Sequence, residues 1–223
     1  MKSYPKYQND IQLTEGPTDP YQAKQLQQQM GFNYRQAIGE LIYALTICRV
    51  DISPALTTLS QHSAAPAKIH YDAVKQVFLY LHATKHQGLT YWRTKPREDL
   101  PYIPHPGTIT APDELAKFDD LYDSLTLYGA CDATWASDKK RRRSMGGVVL
   151  LLSGAAIYYR TNLQPTIALS TTESEFNTMA DAGKAALFIR WILDELQIHQ
   201  YLPTPIKCDN HGAIKMANAQ QPT

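Results

Sequence analysis

Tyr128-Gly-Ala-Cys-Asp132-Ala-Thr-Trp-Ala-Ser137 reads as a strand that delivers an acid at its C-terminal end. The preceding Leu125-Thr-Leu-Tyr-Gly-Ala-Cys131 alternates, with Leu125, Leu127 and Cys131 on one face. Downstream, Met145 to Leu152 is a continuous apolar run, the pattern of a central strand. Ser153-Gly154 is a two-residue turn of hairpin type, and Ala155 to Arg160 returns as a third strand. A long helix follows. Ser170 is a good N-cap, and Glu173 three residues on completes a capping box. Phe176, Ala180, Gly183, Leu187 and Trp191 predict a buried stripe down to about Leu196. Pro203 and Pro205 end the helix, Pro205-Ile-Lys-Cys-Asp209 makes a short fourth strand, and His211 to about Ala219 a last helix. The order is β-β-β-α-β-α, an α+β or α/β arrangement on a mixed sheet. A strand arriving after a helical crossover should lie parallel to an earlier one. The first strand is its natural neighbour, which sets Asp132 beside Asp209.

Carboxylates gathered from strand ends and a helix start have one common chemical use, holding divalent metal. Glu173 and Glu175 are two apart on the helix, so only one can face the sheet. Glu173 has the capping role. Glu175 stacks with Met179, Ala182 and Ala186, a small apolar row suited to lying close to a sheet, and is the expected inward acid. Three acids at one point repel each other, and a bound cation removes that penalty. Two Mg²⁺ ions about 4 Å apart can activate a water and stabilise a leaving oxygen in phosphodiester cleavage. In that scheme Asp132 bridges both ions, Glu175 holds one and Asp209 the other. Taken singly, a strand-end Asp is usually a turn residue or cap, and Asp209-Asn210 can simply cap the last helix. The combined order is more specific than any one acid.

Lys139-Lys-Arg-Arg-Arg143 is the one basic run. Most such runs are solvated loops. This one closes the hairpin that starts from Asp132, and Arg donates to phosphate in a fork, so Arg141, Arg142 and Arg143 are candidate nucleic-acid contacts. Trp135 is expected to pack rather than stack on bases, and His211 to be exposed. Asp138 lies near Asp132, but the glycine and later Glu of an EF-hand are absent.

Upstream, Ala37, Ile38, Leu41, Ile42 and Leu45 repeat at helical spacing, and the pattern breaks near Asp51-Ile-Ser-Pro54. Further helices are expected from Pro54 to about His62 and from about His70 to Thr84, the latter with Val74, Val77, Phe78 and Leu81 on one face. Leu89-Thr-Tyr-Trp-Arg93 looks like a short strand. The resulting plan is a polar connector over 1–33, with Gln25 to Gln29 solvated, and a helical unit over 34–93. A Pro-rich linker or insertion spans 94–124 and the acid-bearing domain 125–223.

The 223 residues suffice for one or two domains with a real core. A net charge of +1 implies no partner through whole-chain attraction, so only local clustering can. Three scattered cysteines argue against a disulfide framework and for a reducing compartment, and none shares zinc spacing with histidines. No apolar run reaches membrane-spanning length, so no membrane partner is expected, and the N-terminus lacks an apolar signal core.

Several stretches match a known family. Cys131-Asp-Ala-Thr-Trp-Ala-Ser-Asp138, then Arg142-Arg-Ser144 and Gly147, resembles the opening of the ribonuclease H domain of copia-type retrotransposon polyproteins. Leu163-Gln-Pro-Thr-Ile-Ala-Leu-Ser170 with Thr172-Glu-Ser-Glu-Phe176 resembles its strand-to-helix segment. Cys208-Asp-Asn210 with Ala213-Ile214 is similar to its third acidic motif. This match covers about 125–219. Tyr34 to Tyr43, Asp51-Ile52 and Tyr71 to Thr84 resemble the thumb and connection that follow a reverse transcriptase palm.

The resemblance implies a ribonuclease H-like fold, a mixed sheet of five-strand type here truncated, with a long helix and a thumb-like helical unit before it. It implies hydrolysis of the RNA strand of an RNA–DNA hybrid with Mg²⁺ or Mn²⁺, Asp132, Glu175 and Asp209 standing at the family's first three acids. Ser170 and Asn210, inside the matching motifs, join the three arginines as expected nucleic-acid contacts. The implied partners are the hybrid and the palm of a parent polyprotein, in a cytoplasmic particle or the nucleus. The palm's paired aspartates are absent, so no DNA synthesis is expected. The family's fourth acid lies in a later helix, and no Asp or Glu follows Asp209. The chain therefore reads as a fragment of a longer or decayed polyprotein, and the alternative expectation is a weak or inactive nucleic-acid-binding remnant.

Overall fold

A computed structural model describes residues 10–91 and 125–219. They fall into two compact units, one formed by residues 10–89 and 138–142, the other by 90–91, 125–137 and 143–219.

The first unit is helical: α1 (Pro20–Met30), α2 (Tyr34–Ile47), a 3-10 turn (Val50–Ile52), α3 (Ser53–Ser60) and α4 (Lys68–Ala83). The Gln-rich stretch expected as a solvated connector is solvated, with Gln25, Gln27, Gln28 and Gln29 exposed, and it forms the body of α1. Asp19 caps its start by accepting from the Gln22 amide, Pro20 sits where no amide partner is needed, and Gly31 ends it at φ 83°. Caps at both ends thus overcame a polar face. Tyr34, Leu41, Leu56, Tyr71 and Val74 make the core. Tyr34 donates its hydroxyl to the Leu59 carbonyl at 2.9 Å and meets Tyr71 edge-on at 5.1 Å. Buried Arg49 forks onto Asp51 and also reaches Thr84, the cap at the end of α4. Residues 87–91 are irregular, so the expected strand is absent over 89–91. Its residues 92 and 93, and the expected linker over 94–124, lie outside the described residues.

The second unit is a mixed α/β layer. Strands β1 (Tyr128–Thr134), β2 (Met145–Leu152), β3 (Ala155–Leu163) and β4 (Ile206–Lys207) form a four-stranded sheet in the order β3-β2-β1-β4, with helices α5 (Thr171–Glu195) and α6 (His211–Asn218). β1, β2 and β3 pair antiparallel as a meander. β4 returns parallel to β1, pairing Gly129 with Ile206 and Ala130 with Lys207, as the crossover rule predicts. Continuing that register sets Cys131 level with Cys208 and Asp132 level with Asp209.

α5 packs on the sheet through the row Ala182, Ala185, Ala186, Ile189 and Leu193. The expected stripe through Leu187 and Trp191 is wrong: these are 56% and 68% exposed. Size decides the face. Alanines let the helix axis approach the sheet, and bulky side chains cannot fit beneath it. The closest approach is at Gly146, where an added Cβ would lie 2.7 Å from Thr178 Oγ1. Thr178 cannot retreat, because its hydroxyl donates to the Ser174 carbonyl and accepts from the Gln164 amide at 2.9 Å.

Gly146→Ala should therefore destabilise the protein by about 1–3 kcal/mol through overpacking. Pairing it with Thr178→Ala should cost less than the sum of the two single changes. Urea midpoints read this directly, and strict additivity would show that the contact does not limit the helix position.

Candidate functional site: a carboxylate and thiol cluster at the strand ends

The site begins with a backbone accounting problem. The Gly129 amide donates to the Pro205 carbonyl at 2.9 Å, so alternate β1 amides turn toward the β4 edge. β4 stops at Lys207. Ala133, beyond its reach on the same edge, keeps an amide with no strand to receive it. Glu175 supplies the acceptor: the Ala133 N–H donates to Oε1 at 3.1 Å. The other oxygen, Oε2, accepts from the Cys208 thiol at 3.8 Å.

Glu175 reaches this point because Ser170 fixes where α5 starts. The Ser170 hydroxyl accepts from the Glu173 amide at 3.1 Å, and the Glu173 carboxylate accepts from the Leu169 amide at 2.7 Å. The reciprocal bond lands one residue before the cap, a variant of the expected box. Glu173 is thereby spent on the helix end, and Glu175 turns inward, 5% exposed. Asp209 follows β4 directly and is exposed, and Asn210 caps α6 by accepting from the Ala213 amide at 3.0 Å.

The ligand atoms of Glu175, Cys208 and Asp209 all lie within 4.8 Å of one another. Asp132 is exposed at the end of β1 and stands outside that tightest group, but its charge acts on Glu175. Burial holds the Glu175 carboxyl above its ordinary value, the Ala133 amide opposes this, and the charges of Asp132 and Asp209 raise it further. Among the described residues no Lys, Arg or His pairs with Glu175, Asp132 or Asp209. A buried carboxylate without a cationic partner carries a penalty on the order of several kcal/mol. Two carboxylates in contact range, a third coupled by charge and no internal counter-ion form a donor set that fits a hard divalent cation such as Mg²⁺.

Sequence reasoning missed the thiols. Cys131 and Cys208 are 6% and 2% exposed and share a cluster with Val148, Ala182 and Ala213. Burial first, then the neighbouring Cys208 and Glu175, push the Cys131 thiol up to about 12. Burial likewise raises Cys208, against a bond from the Asn210 amide. The available signal was positional: each cysteine immediately precedes one of the strand-end acids.

The remaining candidates are scattered. Ser170 and Asn210 are helix caps at the starts of α5 and α6, leaving the hydroxyl hydrogen and the amide NH₂ as donors. Arg141 and Arg142 are exposed and belong to the first unit, where Lys140 pairs with Glu15 at 2.8 Å. Arg143 is half-buried in the second unit. Trp135 donates its indole N–H to the Ala168 carbonyl at 2.9 Å, a packing role, and His211 is exposed. Asp138 accepts from the Lys140 and Arg141 amides as a turn residue.

Comparison with known proteins gives this arrangement a lineage. Over 186 residues, 82% of the chain, it is 30% identical to the retrovirus-related Pol polyprotein from transposon TNT 1-94 of Nicotiana tabacum. Over 180 residues, 81% of the chain, it is 29% identical to the retrovirus-related Pol polyprotein from transposon RE1 of Arabidopsis thaliana. The chain is thus similar to retrovirus-related Pol polyproteins of plant transposons. It spans 12% and 10% of the length of those two polyproteins. A further relative is the secreted RxLR effector protein 161 of Plasmopara viticola, 31% identical over 156 residues, which are 70% of this chain and 90% of that protein. No family model matches the chain, and no solved structure does. Among the described residues, no helix is long and apolar enough to cross a membrane.

The charge on Glu175 is disfavoured by burial, which sets a pH signature. The unfolded carboxyl titrates near 4.5 and the folded one higher. The contribution of Glu175 to stability is therefore greatest below 4.5 and falls as pH rises through the folded value. Glu175→Gln removes that fall. In chelator at neutral pH the variant should melt above the parent, and the gap should close in acid. A variant that melts lower at every pH would mean that the carboxylate is structural.

Proposed function

We propose that the second unit is a ribonuclease H-like nuclease centre that cuts the RNA strand of RNA–DNA hybrids, in the setting of a retrotransposon polyprotein. The observation that carries this reading is the buried Glu175, with an Asp209 oxygen within 4.8 Å of its own and Asp132 near enough for its charge to act on it. Asp132, Glu175 and Asp209 are the residues that would hold the divalent ions. When bound, such ions supply Lewis acidity and a water of lowered pKa. The chain's own residues do the positioning. Glu175 is fixed by the Ala133 amide, so it stays in place as a substrate enters. Asp132 and Asp209 are exposed, so a phosphodiester can reach them from solvent. The starts of α5 and α6 present the positive ends of their dipoles and the donors of Ser170 and Asn210, which suit phosphate oxygens. Arg141, Arg142 and Arg143 add forked phosphate contacts without base preference. The palm of the parent polyprotein is the proposed companion that delivers the hybrid.

A labelled hybrid incubated with Mg²⁺ tests the reading. The parent should release shortened RNA and leave the DNA strand whole. Asp132→Asn and Asp209→Asn should each slow cleavage by about 100-fold or more, the scale of removing a preorganised electrostatic group. Equal cleavage by parent and Asp132→Asn would refute the role of Asp132. Salt-dependent binding of the hybrid without cleavage would instead identify a nucleic-acid-binding remnant.

A further inference from the structure

The third member of the tight cluster is a sulfur atom, and that changes which cations the site prefers. Cys208 Sγ, one Glu175 oxygen and one Asp209 oxygen lie within 4.8 Å of one another. The Sγ–Oε2 separation is 3.8 Å. A tetrahedral zinc ion, with Zn–S about 2.3 Å and Zn–O about 2.0 Å, spaces sulfur from oxygen by about 3.5 Å. That one S–O spacing is thus close to the edge of a zinc tetrahedron, and the other pairs lie within the 4.8 Å that bounds the group. Mg²⁺ makes no use of a thiolate, whereas Zn²⁺ and Cd²⁺ bind one strongly.

A second sulfur stands next to the first. β1 and β4 pair in register through Ala130 and Lys207, and the next residue on each side is a cysteine, Cys131 on β1 and Cys208 just past the end of β4. Both are buried against the same face of α5, beside Ala182. They are free thiols. Glu175 is itself more than nine-tenths buried, and the partner of its Oε2 is the Cys208 thiol. A carboxylate so placed, with no Lys, Arg or His ion-paired to it among the described residues, calls for a cation. The neighbouring thiols favour a soft or borderline one.

We propose that Cys208, Glu175 and Asp209 form a site for a single Zn²⁺ ion or another thiophilic divalent cation, with the buried Cys131 thiol beside Cys208. On binding, the Cys208 thiol gives its proton to solvent and the sulfur takes the metal. The ion uses two of the carboxylates assigned above to Mg²⁺, so zinc and the nuclease ions exclude each other. The inference shares those carboxylates with the proposed nuclease but needs no cleavage activity, and it assigns the thiols a role that the nuclease reading leaves empty.

The test uses the full chain and metal alone. Zn²⁺ is titrated in competition with a chromophoric chelator, and Co²⁺ is substituted to look for thiolate-to-metal charge transfer in the near ultraviolet. One equivalent of Zn²⁺ should bind, and the cobalt form should show the charge-transfer band. Cys208→Ser should abolish the band or sharply reduce it, and weaken zinc binding by tenfold or more. Asp209→Asn, at an exposed position that folding tolerates, should weaken zinc binding while keeping the band. Cys48→Ser, outside the cluster, should match the parent. Absence of the band in the parent, or parent-like zinc affinity in Asp209→Asn and folded Cys208→Ser, would overturn the proposal. Mg²⁺-dependent hybrid cleavage is scored separately: tight zinc binding by a chain that never cuts RNA removes the nuclease reading and leaves this one standing, and cutting without zinc binding does the reverse.

Discussion

One hydrogen bond ties the site to the fold: the Ala133 amide onto Glu175 Oε1. It exists because β4 is short. A longer β4 would have taken that amide into the sheet ladder and left no opening for a side chain from α5. A shorter one would have exposed the amide to water. The early end of β4 makes a notch at the sheet edge, and a helical carboxylate fills it. The acid is therefore held by a main-chain donor while its charge remains uncompensated. That combination of fixed position and unmet charge is what a cation site requires.

The notch works only if α5 lies close to the sheet. Ala182, Ala185 and Ala186 set that distance, and Gly146 removes the one Cβ that would have met Thr178. Small residues are placed where the helix is closest, and Leu187, Phe188 and Trp191 are turned away to solvent. The same closeness buries Glu175, Cys131 and Cys208 together. Packing and chemistry thus share one cause: tight helix–sheet contact lowers the local polarity, and that in turn raises the carboxyl and both thiols above their ordinary values.

The chemistry that results is ambivalent between cation classes. Oxygen donors from Glu175 and Asp209, with Asp132 acting through its charge, suit the hard ions of phosphoryl chemistry. Sulfur from Cys208 suits softer ones. The similarity to retrovirus-related Pol polyproteins stands beside the first, and the thiols add an avenue for competition at the same carboxylates.

Local sequence alone determined the elements of the second unit. Alternation, the Ser-Gly turn and the Ser170 cap gave three strands and a long helix, and the crossover rule gave a fourth strand parallel to the first. It also picked Glu175 over Glu173 as the inward acid, since capping already claimed the latter. It misjudged α1, where caps at Asp19 and Gly31 outweighed a glutamine-rich face, and it misjudged the outer face of α5, where apolar size was taken for burial. Tertiary structure alone decided which donor atoms meet. Whether Asp132 or Cys208 joins Glu175 and Asp209 most closely depends on where β4 ends and how near α5 lies. Both are set by contacts between residues dozens of positions apart, and no local pattern encodes such distances.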